Sequence, residues 1–155
     1  MNIPQQIARH FREMHEGQSM TGVLLYGLLE GVTFEQATAT FNNFHTIAEQ
    51  VYHINYYISA VLKVLQGGPL DAHDKFSWDC PVINSESDWQ QLQNKCRSDA
   101  EVFAKLVEAM PEEKLQQDFA DPKYGNWHRN LTSILEHSHY HLGQIALTKK
   151  LVMTR

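Results

Sequence analysis

Apolar residues spaced three and four positions apart in the second quarter of the chain constrain the fold most strongly. They continue from Thr46 to Leu65 until Gly67, Gly68 and Pro69 interrupt the pattern. This heptad-like spacing is typical of a helix that buries one stripe against other helices. The stripe consists of Phe44, Ile47, Val51, Ile54, Ile58, Val61 and Leu65. The spacing therefore predicts a bundle helix over residues 46–65.

Three other segments show the same helical period. A first helix is predicted over residues 4–30, with a bend or break at Gly17, and a connector with its own short turn follows it. A third helix is predicted over residues 87–111, capped by Ser87, and a fourth over residues 130–152. No segment alternates as a strand does. These patterns predict an all-α fold, a four-helix bundle.

A link of about 20 residues joins the predicted second and third helices, and its sequence "GGPLDAHDKFSWDCPVINSES" has little periodicity. So long a link in a compact domain usually crosses the bundle or shapes a site. It argues against the simplest up-down-up-down order of helices. We expect His73, Phe76, Trp78 and Cys80 of this link to form one wall of a pocket.

Composition and charge narrow the class of protein. A chain of 155 residues fits one domain over residues 1–155. The net charge is −5 and no stretch is rich in Lys or Arg, so we expect no nucleic-acid partner. The apolar runs are too short for a membrane span, and the polar N-terminus lacks a signal peptide's apolar region, which favours a cytoplasmic protein.

Two cysteines, predicted as one loop thiol (Cys80) and one core thiol (Cys96), are too few for a disulfide framework.

Histidine is where the composition departs from average, because nine histidines are about three times ordinary usage. In "EHSHYHLGQI", His137 and His141 lie one helical turn apart, and His139 lies on the opposite face. A bundle-facing seam through this pair would bury several polar groups, which need a bound cation, a water-filled pocket or both. The seam consists of Asn130, Ile134, His137, His141, Gln144 and Thr148. Spacing alone leaves metal ligation and hydrogen-bonded packing equally open.

A third ligand would have to come from another helix, and His53 lies near the middle of the predicted second one. With His137 and His141 it would form a three-His site with open coordination positions, which is the catalytic rather than the structural arrangement. Glu49 is a reserve ligand, a base or an orienting partner for an imidazole. His45 is expected to cap the helix or support the site. The other histidines are expected at the surface or in loops: His10, His15, His73, His128 and His139.

A second apolar stripe on the fourth helix, formed by Leu131, Leu135 and Leu142, predicts that this helix is covered on two sides. The second cover is either a neighbouring helix or another subunit.

Two stretches together resemble the DinB-like superfamily of damage-inducible, metal-dependent proteins. They are "EQVYHI" in the second helix and "HSHYHLGQI" in the fourth, and the resemblance extends from "GVLLYGLLEGVTFEQA" to "GQIALTKK". It implies a four-helix bundle with a long crossover between helices 2 and 3, often a homodimer. It also implies a three-His site for a divalent ion (Zn²⁺, Ni²⁺ or Fe²⁺), which maps to His53, His137 and His141.

Three functions are compatible with these observations. The resemblance implies a metal-dependent enzyme, either a transferase that uses a low-molecular-weight thiol such as bacillithiol or mycothiol, or a hydrolase. Glu49 is then a possible base, and Tyr140 and Gln144 could line the site. The alternatives are a non-catalytic metal-binding stress-response protein and a plain bundle that dimerises through the leucine stripe. Thiol transfer is preferred to hydrolysis because it needs no separate general base. The small-molecule substrate does not follow from the residues.

Overall fold

The computed structural model of the protein describes residues 1–154. It is all-helical, and the described residues form no β-sheet, only two isolated bridges. The α-helices are α1 Ile3–His15, α2 Leu25–Leu29, α3 Phe34–Thr38, α4 Ile47–Leu65, α5 Glu86–Glu108 and α6 Trp127–Met153. Short 3₁₀ turns lie at Asp74–Phe76, Glu112–Gln116 and Pro122–Tyr124. The four long helices α1, α4, α5 and α6 form the bundle, which confirms the predicted fold class.

Side-chain contacts give the relative directions of the neighbouring helices α1 and α5. The rings of Phe11 and Phe103 lie 4.4 Å apart. One turn further along α1, Glu16 pairs with Arg97 at 2.6 Å. Because the residue numbers rise on one helix as they fall on the other, α1 and α5 run antiparallel.

The same comparison shows that α4 and α6 also run antiparallel. Gln50 Nε2 donates to Thr148 Oγ1 at 3.3 Å. Further along α4, the Nε2 atoms of His53 and His137 lie 3.1 Å apart. The polar seam predicted on the fourth helix therefore faces the second helix.

By contrast, α4 and α5 run parallel. The thiol of Cys96 contacts the Val51 carbonyl, and about one turn later on both helices Asn55 donates to Asp99. Parallel neighbours cannot be joined by a short turn. The chain has to return along α4, which has 19 residues and is about 28 Å long. The segment of residues 66–85, which we call the crossover, makes this return. The predicted long link between helices 2 and 3 is thus explained by helix direction.

One helix boundary differs from the prediction in a way that changes the count of helices. Of the bend or break predicted at Gly17, the break is confirmed, so the first helix does not continue to residue 30. It ends at His15, and α2 is a separate helix of five residues. The break follows from Gly17 and Gly22, which have φ values of +126° and +69°. Those backbone conformations are accessible to glycine and lie outside the helical region.

The starts of α5 and α6 also lie earlier than predicted. Ser85 rather than Ser87 caps α5, because its hydroxyl accepts from the Asp88 amide at 3.2 Å. The fourth helix begins at Trp127 rather than at residue 130. Its cap is Asn126, whose side-chain oxygen accepts from the Arg129 amide at 2.9 Å. The second helix begins and ends as predicted, with Thr46 as its cap.

The Asn126 cap gives a testable prediction for the helix that carries two of the three site histidines. Replacing Asn126 with alanine removes an acceptor for a free helix amide, which costs about 1 kcal/mol. We expect the free energy of unfolding in urea to fall by about that amount. Asn94→Ala in the exposed middle of α5 is the matched control, and alanine's higher helix propensity should leave that variant at least as stable. An Asn126→Ala protein as stable as the wild type would contradict the capping role.

The second apolar stripe of α6 is covered by the chain itself. Leu131, Leu135 and Leu142 are all buried in the single subunit. The hypothesis that the protein dimerises through these leucines is therefore wrong, since they belong to the core. The homodimer itself stays a prediction, and a second subunit would have to bind elsewhere. No helix within residues 1–154 is long and apolar enough to cross a membrane.

Candidate metal centre

His53 occupies the middle of α4, buried between that helix and the crossover. Its Nδ1 lies 3.1 Å from the carbonyl oxygen of Ser77. A carbonyl can only accept, so Nδ1 carries the proton and donates to it. The neutral ring therefore presents a bare Nε2 lone pair on its other side. A metal-binding histidine is commonly held in this way by a backbone carbonyl.

His137 and His141 approach that lone pair from α6. They lie one turn apart, and their ring centroids are 4.6 Å from each other. His137 Nε2 is 3.1 Å from His53 Nε2. One nitrogen from each of the three histidines lies within 4.8 Å of the others, and within residues 1–154 no other group of three candidate ligands is brought together in this way.

Burial favours the neutral form of all three rings. It lowers the pKa of His137 to about 4, with a further decrease caused by neighbouring His53. It also lowers the pKa of His141 to about 4, assisted by both other histidines, and lowers the pKa of His53. At neutral pH the imidazoles are therefore uncharged, which is the form that ligates metal ions.

The donor set fits a divalent transition-metal ion. Two nitrogens bound to one tetrahedral zinc ion lie about 3.3 Å apart, given metal–nitrogen bonds of about 2.0–2.1 Å. The 3.1 Å between His53 and His137 is close to this value. Three imidazoles suit Zn²⁺, Ni²⁺ and Fe²⁺ alike, whereas Mg²⁺ and Ca²⁺ prefer oxygen ligands. The Nδ1 atom of His141 is buried and has no hydrogen-bond partner among the described residues.

The crossover forms the wall next to His53. Trp78 stacks on the His53 ring at a centroid distance of 3.7 Å, and His45 stacks on the other face of the indole, also at 3.7 Å. The sequence predicted Trp78 as a pocket wall but gave no indication that it touches a candidate ligand. Within the non-periodic crossover, residue spacing carries no information about such a contact.

Two tyrosines of α4 hold the crossover in place. The Tyr56 hydroxyl accepts from the His73 amide at 2.8 Å and donates to the His73 carbonyl at 3.1 Å. The Tyr57 hydroxyl donates to Asp74 at 2.8 Å. Because these residues follow His53 by three and four positions, one face of α4 both carries the candidate ligand and anchors the crossover.

Glu49 lies away from the three histidine nitrogens. Its carboxylate accepts from the Thr46 amide at 2.7 Å, as part of the capping box of α4. It also lies 3.5 Å from His45 Nδ1. Glu49 is therefore connected to the candidate ligand His53 only indirectly, through His45 and the indole of Trp78. The role of Glu49 as a base or orienting group stays a prediction.

A cavity of about 710 Å³ opens beside His137, which forms part of its wall, whereas His53 and His141 do not line it. The cavity lies between α4, the crossover and the first half of α6. Its apolar side includes Ala60, Val61, Leu70 and Ile134, and its polar side includes His73, Lys75, Asn130 and Ser133. The predicted contribution of the crossover to a pocket wall is confirmed for His73. A volume of this size accommodates a small-molecule ligand.

The remaining site residues named from the sequence lie at the edge of the centre. Tyr140 is exposed, with its ring centroid 4.9 Å from that of His141, and Gln144 is half-buried one turn further along α6. Among the other histidines, His10, His73 and His128 are exposed, as expected. The prediction that the remaining histidines lie at the surface or in loops is wrong for His15 and His139. His15 is buried in the core and His139 is half-buried between helices.

The chain's own thiols are poorly suited to chemistry at this site. Cys80 is half-buried in the crossover, where burial raises the pKa of its thiol to about 11. Cys96 is buried in α5, and burial raises its pKa to about 12. Both are protonated near neutral pH and so are weak nucleophiles and weak metal ligands.

Comparison with known proteins identifies the family. The family model described as the DinB superfamily matches residues 21–145, which include α2 to α5 and most of α6. No curated protein and no solved structure gives a significant match. The matched region contains all three clustered histidines, the crossover, the whole of α4 and the part of α6 that carries His137 and His141. The chain therefore belongs to the DinB superfamily.

Proposed function

We propose that this protein is a metal-dependent enzyme acting on a small molecule, with His53, His137 and His141 holding a divalent ion (Zn²⁺, Ni²⁺ or Fe²⁺). One observation carries the proposal: three imidazoles converge on one point, and one of them, His137, lines a cavity of about 710 Å³. A divalent ion held by three imidazoles keeps coordination positions open and lowers the pKa of a thiol or water that binds there. A purely structural ion would need no adjoining cavity.

Transfer of a low-molecular-weight thiol to a small electrophile is the reaction that we favour. Hydrolysis usually needs a general base, and the available carboxylates near the centre are engaged elsewhere. Glu49 accepts from the Thr46 amide. Asp74, on the cavity wall, accepts from the Tyr57 hydroxyl. The protein's own thiols are protonated, so the sulfur nucleophile has to come from a second molecule.

The proposal predicts that an added thiol binds at the metal centre. We expect cobalt-loaded protein to show sulfur-to-cobalt charge-transfer absorption on titration with mercaptoethanol or mercaptopropionate. We also expect it to accelerate consumption of the thiol by a small activated aryl chloride. The control is His137→Ala protein treated with the same cobalt and thiol, which should show neither effect. A saturable absorption change in the wild type alone would support thiol transfer.

The alternatives give different outcomes in the same experiment. Stoichiometric cobalt without any thiol-dependent absorption would contradict thiol transfer and favour the non-catalytic metal-binding protein. Exchange of cobalt-bound water, detected by relaxation of the solvent protons, would then favour a hydrolase instead. Wild-type protein that binds no cobalt would contradict the metal centre itself and leave the plain bundle.

A further inference from the structure

The indole of Trp78 lies between the imidazoles of His45 and His53. Both ring pairs are nearly parallel, with interplanar angles of 7° and 9°, and both have centroid distances of 3.7 Å. His53 is buried, Trp78 is half-buried and His45 is exposed. The stack therefore runs from the surface inward and ends on a candidate metal ligand.

Two contacts from adjacent crossover residues define the orientation of the His53 ring. The Ser77 carbonyl fixes the position of Nδ1. A single hydrogen bond leaves the ring free to tilt about it, and the face of Trp78 restricts that tilt. Together they direct Nε2 towards His137.

The crossover is itself held firmly enough to serve as a support. Tyr56 and Tyr57 bind His73 and Asp74, and the Ser77 hydroxyl donates to the Asp74 carbonyl at 2.7 Å. Trp78 follows directly after this anchored segment. The outer face of the indole is covered by the imidazole of His45, which directly precedes Thr46, the N-cap of α4. The indole is thus held between His45, just before the start of α4, and His53, in the middle of that helix.

We propose that Trp78 is a positioning residue of the metal centre, which sets the orientation of the His53 imidazole through face-to-face stacking. The proposal rests on the proposed function, because it concerns the affinity and geometry of the same ion. Outer partners that orient a ligating histidine typically change metal affinity by about 10–100-fold when removed. A tryptophan that served only as a cavity wall would leave the affinity for the bare ion unchanged.

The test compares Trp78→Leu, Trp78→Phe and the wild type in binding of cobalt alone, without thiol. We expect Trp78→Leu to bind cobalt about 10–100-fold more weakly in competition with a chelator, and to show an altered ligand-field spectrum. Phenylalanine keeps an aromatic face, so Trp78→Phe should restore most of the affinity. Phe76→Leu, an exposed aromatic residue of the same crossover, is the matched control and should bind as the wild type does.

The outcomes separate this inference from the proposed function. Wild-type affinity and spectrum in folded Trp78→Leu protein would overturn the positioning role and leave the metal centre standing. Wild-type protein that binds no cobalt would overturn the proposed function, and with it this inference. Urea unfolding in the presence of EDTA establishes whether each variant folds. If Trp78→Leu does not fold, His45→Ala removes only the exposed end of the stack and should still weaken cobalt binding, whereas wild-type affinity and spectrum in folded His45→Ala protein would overturn the proposal.

Discussion

Alanine at His53 or His137 is expected to reduce the metal content from about one ion per chain to nearly none. Each substitution removes one of three nitrogen ligands. The loss should exceed the roughly 10–100-fold caused by removing an outer hydrogen-bonding partner. Elemental analysis of untagged protein measures the content directly. The wild type should also gain about 4 kcal/mol of unfolding free energy at a free ion concentration of about 1,000 times the dissociation constant, and the variants should not.

The matched control for this prediction is His128→Ala. His128 lies on α6, the helix of His137, but is exposed and takes no part in the three-histidine group. Its replacement should leave the metal content unchanged. Retention of one ion per chain by either His53→Ala or His137→Ala would contradict the two-helix site. Equal loss in the His128→Ala protein would show that the assay reports general histidine binding.

Acid is expected to destabilise the protein through His15. This residue is the last of α1 and is not one of the three candidate metal ligands. The ring is buried against Phe11, at a centroid distance of 4.4 Å. Its Nδ1 donates to the Phe11 carbonyl, and its Nε2 has no partner within the described residues. Burial lowers the pKa of His15 from its ordinary value of 6.5 to about 4.

The sign of this effect follows from the lowered pKa. Above pH 6.5 both the folded and the unfolded chain keep His15 neutral, so its contribution to stability is fully present. Between pH 6.5 and about 4 the unfolded chain binds a proton that the folded chain does not. The free energy of unfolding therefore falls by about 3 kcal/mol over this window and levels off below it.

The measurement is urea unfolding in EDTA at several pH values, for the wild type and His15→Asn. Only the difference between the two proteins is used, because the other histidines titrate in both and cancel. The difference should change by about 3 kcal/mol between pH 7 and pH 4. His10→Asn, at an exposed position on the same helix, is the matched control. A pH-independent difference between wild type and His15→Asn would refute the prediction.

Local sequence patterns were sufficient to predict those parts of the molecule that have a regular helical period. The bounds of α4 could be predicted because a capping threonine and a glycine pair enclose an uninterrupted apolar stripe. The pairing of His137 with His141 follows from helical geometry alone. The choice of His53 followed from the need for a third ligand on another helix and from its position near the middle of the predicted second one. Direct contact between His53 and His137 agrees with that choice.

Features that depend on distant parts of the chain could not be predicted. The burial of His15 was missed although it lies four residues after Phe11, on the line of the core-facing stripe of α1. That spacing is the indication that could have found it. The stack of Trp78 on His53 had no such indication, because the crossover has no period and its position depends on the parallel arrangement of α4 and α5. The relative direction of two helices is a tertiary property. Only the length of the link between the second and third helices indicated it in the sequence.

The parallel arrangement of α4 and α5 has a consequence for the order of folding. His53 and His137 are separated by 84 positions along the chain, and they meet only after the crossover has returned along α4 and α6 has docked. Before that point an isolated α6 offers an ion just two nitrogens, from His137 and His141. Tight binding of the ion therefore occurs late in folding. It stabilises the completed bundle and does not initiate folding. The ion then holds together two helices whose contact closes a loop of more than 80 residues, at an entropic cost that the ion helps to offset.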